Sequence, residues 1–235
     1  MATHRAIIAL AVITRACFAS DAEELATLSA DFEREQQSVE AALHAPVEWR
    51  LLATLDARGT VAVARAMDGI TAFRVEISRV DGAPENARAF VGEFRAEADG
   101  QSLKTARTTA DFSLPEFPAE AASDGDAKSA WGVTLDAPHA AVFELAVRMK
   151  RTAPLWFTLL PGVAPAVPFR ARVFATTAEP PVCELPSGIR AILALEPSER
   201  TEAQRVEMTE FLCKLSKPLA QVQAELAKKR AALKK

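Results

Sequence analysis

The chain has 235 residues, 49% of them hydrophobic and 25% charged, and carries a formal net charge of −3. That length holds one sizeable core, or one core and a small helical appendage, in a composition ordinary for a soluble globular protein. The slight acidity excludes the concentrated positive field that a nucleic-acid partner requires, and three scattered cysteines without CxxC or CxxCH spacing exclude a zinc knuckle and covalently attached haem.

The first nineteen residues support two readings. Met1–Arg5 carries positive charge, Ala6–Thr14 is apolar, and Cys17-Phe18-Ala19 precedes Ser20 as a small-residue cleavage site would. This is the order of a short signal peptide, although Arg15 sits badly at the end of the apolar run. A lipoprotein site at Cys17 fits less well, because Thr14 and Arg15 replace the usual small and aliphatic residues. The other reading is an ordinary helix, Thr3–Cys17, followed by a second helix opened by the capping box Ser20-x-x-Glu23. The first reading places the protein outside the cytoplasm, in the periplasm or at the cell surface; the second leaves it in the cytoplasm. In either case the apolar run is too short to serve as a stable bilayer anchor.

Residues 21–43 read as a helix, with Leu25, Leu28, Phe32, Val39 and Leu43 roughly on one side and Pro46 ending it. From Val47 the pattern becomes short β segments separated by turns. Val47–Leu55 leads through Asp56-Ala57-Arg58-Gly59 into Thr60–Ala64. Phe73, Val75 and Ile77 then alternate with Arg74, Glu76 and Ser78, the period of a half-buried strand. After the turn Asp81–Pro84, Phe94, Ala96 and Ala98 alternate with Glu93, Arg95 and Glu97. Ala141–Val147, Leu155–Leu160 and Phe169–Thr177 complete six to eight strands with no helices between them, which predicts an antiparallel sandwich rather than a parallel α/β sheet. Beyond Glu179-Pro180-Pro181 the period is helical again. Ile189–Leu195 makes a short helix, the capping box Thr201-x-x-Gln204 opens a second that reaches Leu215, and Pro218 starts the last. The final two read as a helical hairpin or short coiled coil. The basic run Lys228, Lys229, Arg230, Lys234 and Lys235 complements the negative end of that last helix. The expected organisation is therefore a signal peptide or helix over 1–19, a helical segment over 20–46, a β-sandwich over 47–180 and a helical tail over 181–235. The expected fold class is mainly β.

The most informative stretch is Ala122–Trp131, in which Asp124 and Asp126 flank Gly125 and Ser129 follows. Such a turn brings Asp124, Asp126 and Ser129 oxygens together in the manner that suits calcium, although the EF-hand spacing and its distant glutamate are missing. The simpler alternative is an acidic turn with Gly125 in the left-handed conformation, held by Trp131 in the core. His4, His44 and His139 are isolated from one another and form no ligand cluster. One bridge between Cys183 and Cys213 remains open in an oxidising compartment.

Several co-linear motifs resemble one family. Asp124-Gly125-Asp126, Trp131-Gly132 and Pro138-His139 through Leu145 look like the discoidin, or coagulation-factor C-type, sandwich. They are most similar to its version in planctomycete surface proteins that join a cytochrome-c-like domain to domains of unknown function. Trp49–Leu52, Asp68–Glu76, Phe90–Phe94, Ala110-Asp111-Phe112 with Phe117, and Leu185–Arg205 match in the same order, so the likeness covers about residues 47–235. It implies a jelly-roll, galactose-binding-like sandwich in an exported setting, while the haem-binding cysteines of the parent proteins are absent here. The glycine-and-histidine turn of that family is replaced here by Pro161–Pro168.

These residues bear on three functions. A glycan- or surface-binding module needs exposed aromatic faces and convergent polar groups. With no tyrosine and three tryptophans the chain is poorly supplied, and Trp156 and His139 are the candidates. Each has a plainer alternative, a core aromatic for Trp156 and a histidine satisfied by backbone for His139. The second function is an assembly part that recruits a protein partner through its terminal helices. Catalysis finds no residues: Asp124 and Asp126 lie too close to flank a substrate bond, and no serine elbow occurs.

Overall fold

The computed structural model describes residues 2–56, 61–65, 67–126, 128–150, 154–162 and 167–233, with side chains described for these except 2–20, 56, 61, 62, 64 and 65. In chain order the elements are α1 (Ala2–His44), β1 (Arg50–Asp56), β2 (Val61–Arg65), β3 (Ala72–Arg79), β4 (Arg88–Ala98), β5 (Gln101–Ser102) and β6 (Thr105–Ala110). A short 3-10 turn, Ala119–Ala122, leads to β7 (Trp131–Thr134), β8 (His139–Leu145), β9 (Pro154–Pro161) and β10 (Phe169–Thr176). They are followed by α2 (Ser187–Leu193), α3 (Glu202–Leu215) and α4 (Lys217–Ala232). The chain divides into two compact units: Leu43–Glu196, and a helical unit of Met1–Ala42 with Pro197–Lys235. No helix among the described residues is long and apolar enough to cross a membrane.

The β unit is built from two antiparallel sheets. The larger has the order β1-β10-β3-β8-β6, and the smaller runs β2-β9-β4-β5 with β7 also paired to β4. Apart from β5, each strand enters the sheet opposite to its predecessor. The alternation seen in the sequence decides which residues meet between the layers. Phe73, Val75 and Ile77 of β3 are fully buried, as are Ala171, Val173 and Ala175 of β10. Four rings weld the two sheets: Phe94 of β4 lies 4.6 Å from Phe143 of β8, and Phe73 of β3 lies 5.2 Å from Phe157 of β9, between centroids. Burial of such rings is the main stabilising contribution here.

The outer faces of the two sheets differ. Arg74, Glu76, Glu144 and Arg107 sit on the outer face of the larger sheet, yet Glu76 and Glu144 are buried, because the strap 178–186 runs across them. Val182 packs on Ala72 and Val142, its N–H donates to Glu144 Oε2 at 2.7 Å, and Arg74 Nε reaches Glu184 at 3.0 Å. Burial pushes the Glu76 carboxyl up, but the hydrogen bonds and charges of Arg172 and Arg74 outweigh it and leave the group below its ordinary value. Within the same strap, burial pushes the Cys183 thiol up to about 12, so it is an inert thiol at neutral pH. Cys183 and Cys213 are both free, and the Cys17 side chain lies outside the described residues.

In the helical unit α3 and α4 form the expected hairpin. Both bonds of the Thr201–Gln204 capping box are present, and Arg200 is 4% exposed with its guanidinium 2.9 Å from Glu40 of α1. Two expectations change. Backbone helix runs unbroken through Ser20, so the two predicted N-terminal helices are one. Helix also takes about as much of the chain as strand, since α1 alone has 43 residues, and the fold is an antiparallel sheet structure flanked by helices rather than mainly β. Most of the predicted turn at Asp56–Gly59 and the middle of Pro161–Pro168 lie outside the described residues.

Candidate functional site

The smaller sheet owes its bare outer face to one bulge. Val91 and Ala89 of β4 point into the core, and two residues later the parity should place Glu93 there as well. The pairing with β9 instead slips between Val91 and Glu93, so that Phe94 and Ala96 become the core residues and Glu93, Arg95 and Glu97 turn outward, Glu93 staying buried beside the acidic turn while Arg95 is exposed. Gly92 allows this, for a Cβ there would stand 2.6 Å from the Pro161 carbonyl oxygen.

Along β9 the core takes Leu155, Phe157 and Leu159, and Trp156 and Thr158 therefore face out. Trp156 is 46% exposed and stands directly opposite Val63 of β2, itself 53% exposed, and opposite Glu97 of β4. Directly opposed residues bring their Cβ atoms to within about 5 Å, so these three side chains are neighbours. Thr158 is opposite Arg95, and Ser102 of β5 is opposite Glu97. An indole is thus flanked by a carboxylate, a guanidinium and hydroxyls on an open sheet face. The core reading of Trp156 is replaced by a surface one, whereas Trp131 is fully buried and its indole N–H donates to the Phe112 carbonyl at 3.1 Å.

The acidic turn meets the same face at its other end. Gly125 has φ +79°, and its N–H donates to Glu93 Oε2 at 3.2 Å. The structure does bring Asp124, Asp126 and Ser129 together. The Ser129 hydroxyl lies 2.9 Å from both Asp124 carboxylate oxygens and from the Asp126 carbonyl, and the Asp126 N–H donates to Asp124 Oδ1 at 2.8 Å. These donors hold the oxygens that a calcium ion would take as ligands. Among the described residues no group of three or more His, Cys, Asp or Glu could hold a metal ion.

Burial raises the Glu93 carboxyl above its ordinary value, and nearby Asp124 adds to this against the Gly125 bond and Arg95. The folded state disfavours the ionised form, so Glu93 costs no stability below the ordinary glutamate range and costs progressively more as pH rises through it to the raised value. Glu93→Gln keeps an acceptor for Gly125 and removes the charge. We expect its stability to equal or exceed wild type by up to about 1 kcal/mol at pH 7, with the difference vanishing near pH 4. Urea midpoints across that range check this, and an E93Q midpoint well below wild type at pH 7 would refute it.

His139 belongs to a different place. At the start of β8 in the larger sheet, its Nδ1 lies 3.1 Å from Asp111 Oδ2 and its Nε2 3.4 Å from Thr134 Oγ1. Phe112 stacks on the ring at 4.7 Å. The histidine is held by side chains of the β6 and β7 ends rather than by backbone, and it ties the two sheets together. The Thr134 hydroxyl donates to Asp136, whose carboxyl this bond holds below its ordinary value. With its hydrogen committed there, Thr134 is not arranged to give a proton to His139.

No family model matches the chain, and neither a curated protein nor a solved structure matches it.

Proposed function

We propose that the protein is an exported, non-catalytic binding module whose smaller sheet presents a glycan platform at Trp156. The observation that carries this reading is the half-exposed indole between Val63 and Glu97, with Arg95, Thr158 and Ser102 around it. A pyranose offers an apolar C–H face for the ring and a rim of hydroxyls for the carboxylate and guanidinium, which is the mixture this surface supplies. An isolated exposed aromatic would need no explanation; one beside a second exposed apolar residue and two opposite charges is a patch. Alternation of strands between the sheets and the discoidin-like motifs support a jelly-roll, galactose-binding-like sandwich, a fold with sheet faces and loop ends suited to such ligands. Export rests on the order of the N-terminal residues and on the exported setting that the resemblance implies.

The test is a glycan array followed by affinity electrophoresis of the full chain in gels containing the polysaccharides that score. Trp156→Ala should weaken binding about 10–100-fold while leaving the fold intact, because the ring is largely outside the core. Equal retardation of W156A and wild type, or no retardation of wild type by any glycan, would sink the reading.

A further inference from the structure

In the helical unit α1 outruns the helix packed beside it. Leu226 of α4 lines the same recess as Phe32 and Ser29 of α1, and one turn later Lys229 reaches Asp21 at 2.6 Å and Glu24 at 2.5 Å. α4 therefore runs antiparallel to α1, and it ends at Ala232, three residues past Lys229. At a rise of about 1.5 Å per residue that stop falls level with roughly residue 20 of α1. The α1 backbone continues to Ala2, about 27 Å further along the axis.

A helix carries partial positive charge on the free N–H groups of its first turn and partial negative charge on its last carbonyls. Running from Ala2, α1 has no acidic residue in its first turn, and its positive end has moved well past the end of α4. The same helix begun at Ser20 carries Asp21, Glu23 and Glu24 in its first turn, and its positive end lies beside the negative end of α4. Ser20 and Glu23 then take the cap and third positions of a capping box, and Lys229 clamps that turn from the neighbouring helix. Directly ahead stand Cys17 and Ala19, small residues at the third and first positions before the Ala19–Ser20 bond, preceded by the apolar run Ala6–Thr14. That is the pattern a leader peptidase reads.

From this juxtaposition we infer that Ala19–Ser20 is a processing site and that the folded helical unit is built to begin at Ser20. A leader peptidase hydrolyses the bond on the translocating chain, before the helix forms. The hydroxyl of water joins the Ala19 carbonyl carbon, and the Ser20 nitrogen departs with the proton as a free amine. In the product that amine is an ammonium within reach of Glu23, and the Ser20 hydroxyl accepts from the Glu23 N–H. Cleavage thus frees a cap that the uncut helix holds in its interior. Processing here rests on the exported reading and is independent of the platform at Trp156.

The test is expression of the full chain in a Gram-negative host, with intact-mass measurement of the periplasmic and cytoplasmic fractions. The exported form should begin at Ser20, and Ala19→Phe, which sets a large residue at the bond, should leave the chain uncut. Ser20→Ala should lower the folding equilibrium constant of the processed protein about fivefold, read as an earlier urea midpoint of the helical circular dichroism. Added to A19F it should cost nothing, because alanine is the better helix former at an interior position. Export of a chain cut elsewhere, such as ahead of Cys17, would overturn the site and leave export standing. A chain retained whole in the cytoplasm would overturn both, and equal midpoints for processed S20A and wild type would overturn the capping role.

Discussion

Phe94→Ala is expected to lose about 3–5 kcal/mol of stability. Its ring meets Phe143 at 4.6 Å, Phe157 at 6.0 Å and Phe73 at 6.2 Å, so it is the member of the four-ring cluster that touches the other three. Removing it opens a cavity bounded by both sheets, and neither sheet can collapse into that space without breaking its own ladder. Urea unfolding followed by tryptophan fluorescence reads the right unit, because Trp49, Trp131 and Trp156 all lie within it. A Tm lower by roughly 10 °C should accompany the loss. A loss below about 1 kcal/mol would mean that the rings are not packed as described.

The second large effect concerns the strap. Glu144 is 4% exposed, with one carboxylate oxygen 2.8 Å from Arg107 and the other accepting the Val182 N–H. Glu144→Ala strips a buried backbone donor of its acceptor and withdraws the negative charge beneath a cation. About 3 kcal/mol should be lost, whereas Glu144→Gln, which keeps the shape and an acceptor, should lose about half as much. The strap should loosen with it, so the Cys183 thiol, shielded in wild type, should react with a maleimide faster in E144A. Unchanged labelling together with wild-type stability would contradict the assignment of Glu144 as the strap's anchor.

Some of this architecture is legible from residue order and some is not, and the reasons are physical. β3 and β10 announce themselves because large apolar residues occupy every second position and charges the rest. β6, Thr105–Ala110, does not: its inward residue Thr108 is polar and bonds Ser123, so no hydrophobic period marks it. β7 has only four residues, too few for a period to register. The two capping boxes show how context overrides a motif. Thr201 follows a proline-containing turn and starts α3, but Ser20 follows an alanine-rich run that is already helical, and nothing there breaks the helix. The outward direction of Trp156 was available in the alternation Leu155, Phe157, Leu159, although the general preference of aromatic residues for cores points the other way. The charge pairs under the strap, such as Arg172 with Glu76, join strands far apart in the chain and leave no local trace.

In the larger sheet β10 sits between β1 and β3, pairing Arg50 with Ala175 on one side and Ala72 with Thr176 on the other. The strand on which both neighbours depend is thus the last of the ten to leave the ribosome. Until it arrives, two apolar ribbons have open edges and no partner between them, and closure must gather segments from opposite ends of the unit at once. Slow maturation, and a need for protection from self-association during synthesis, are therefore written into the winding of the strands.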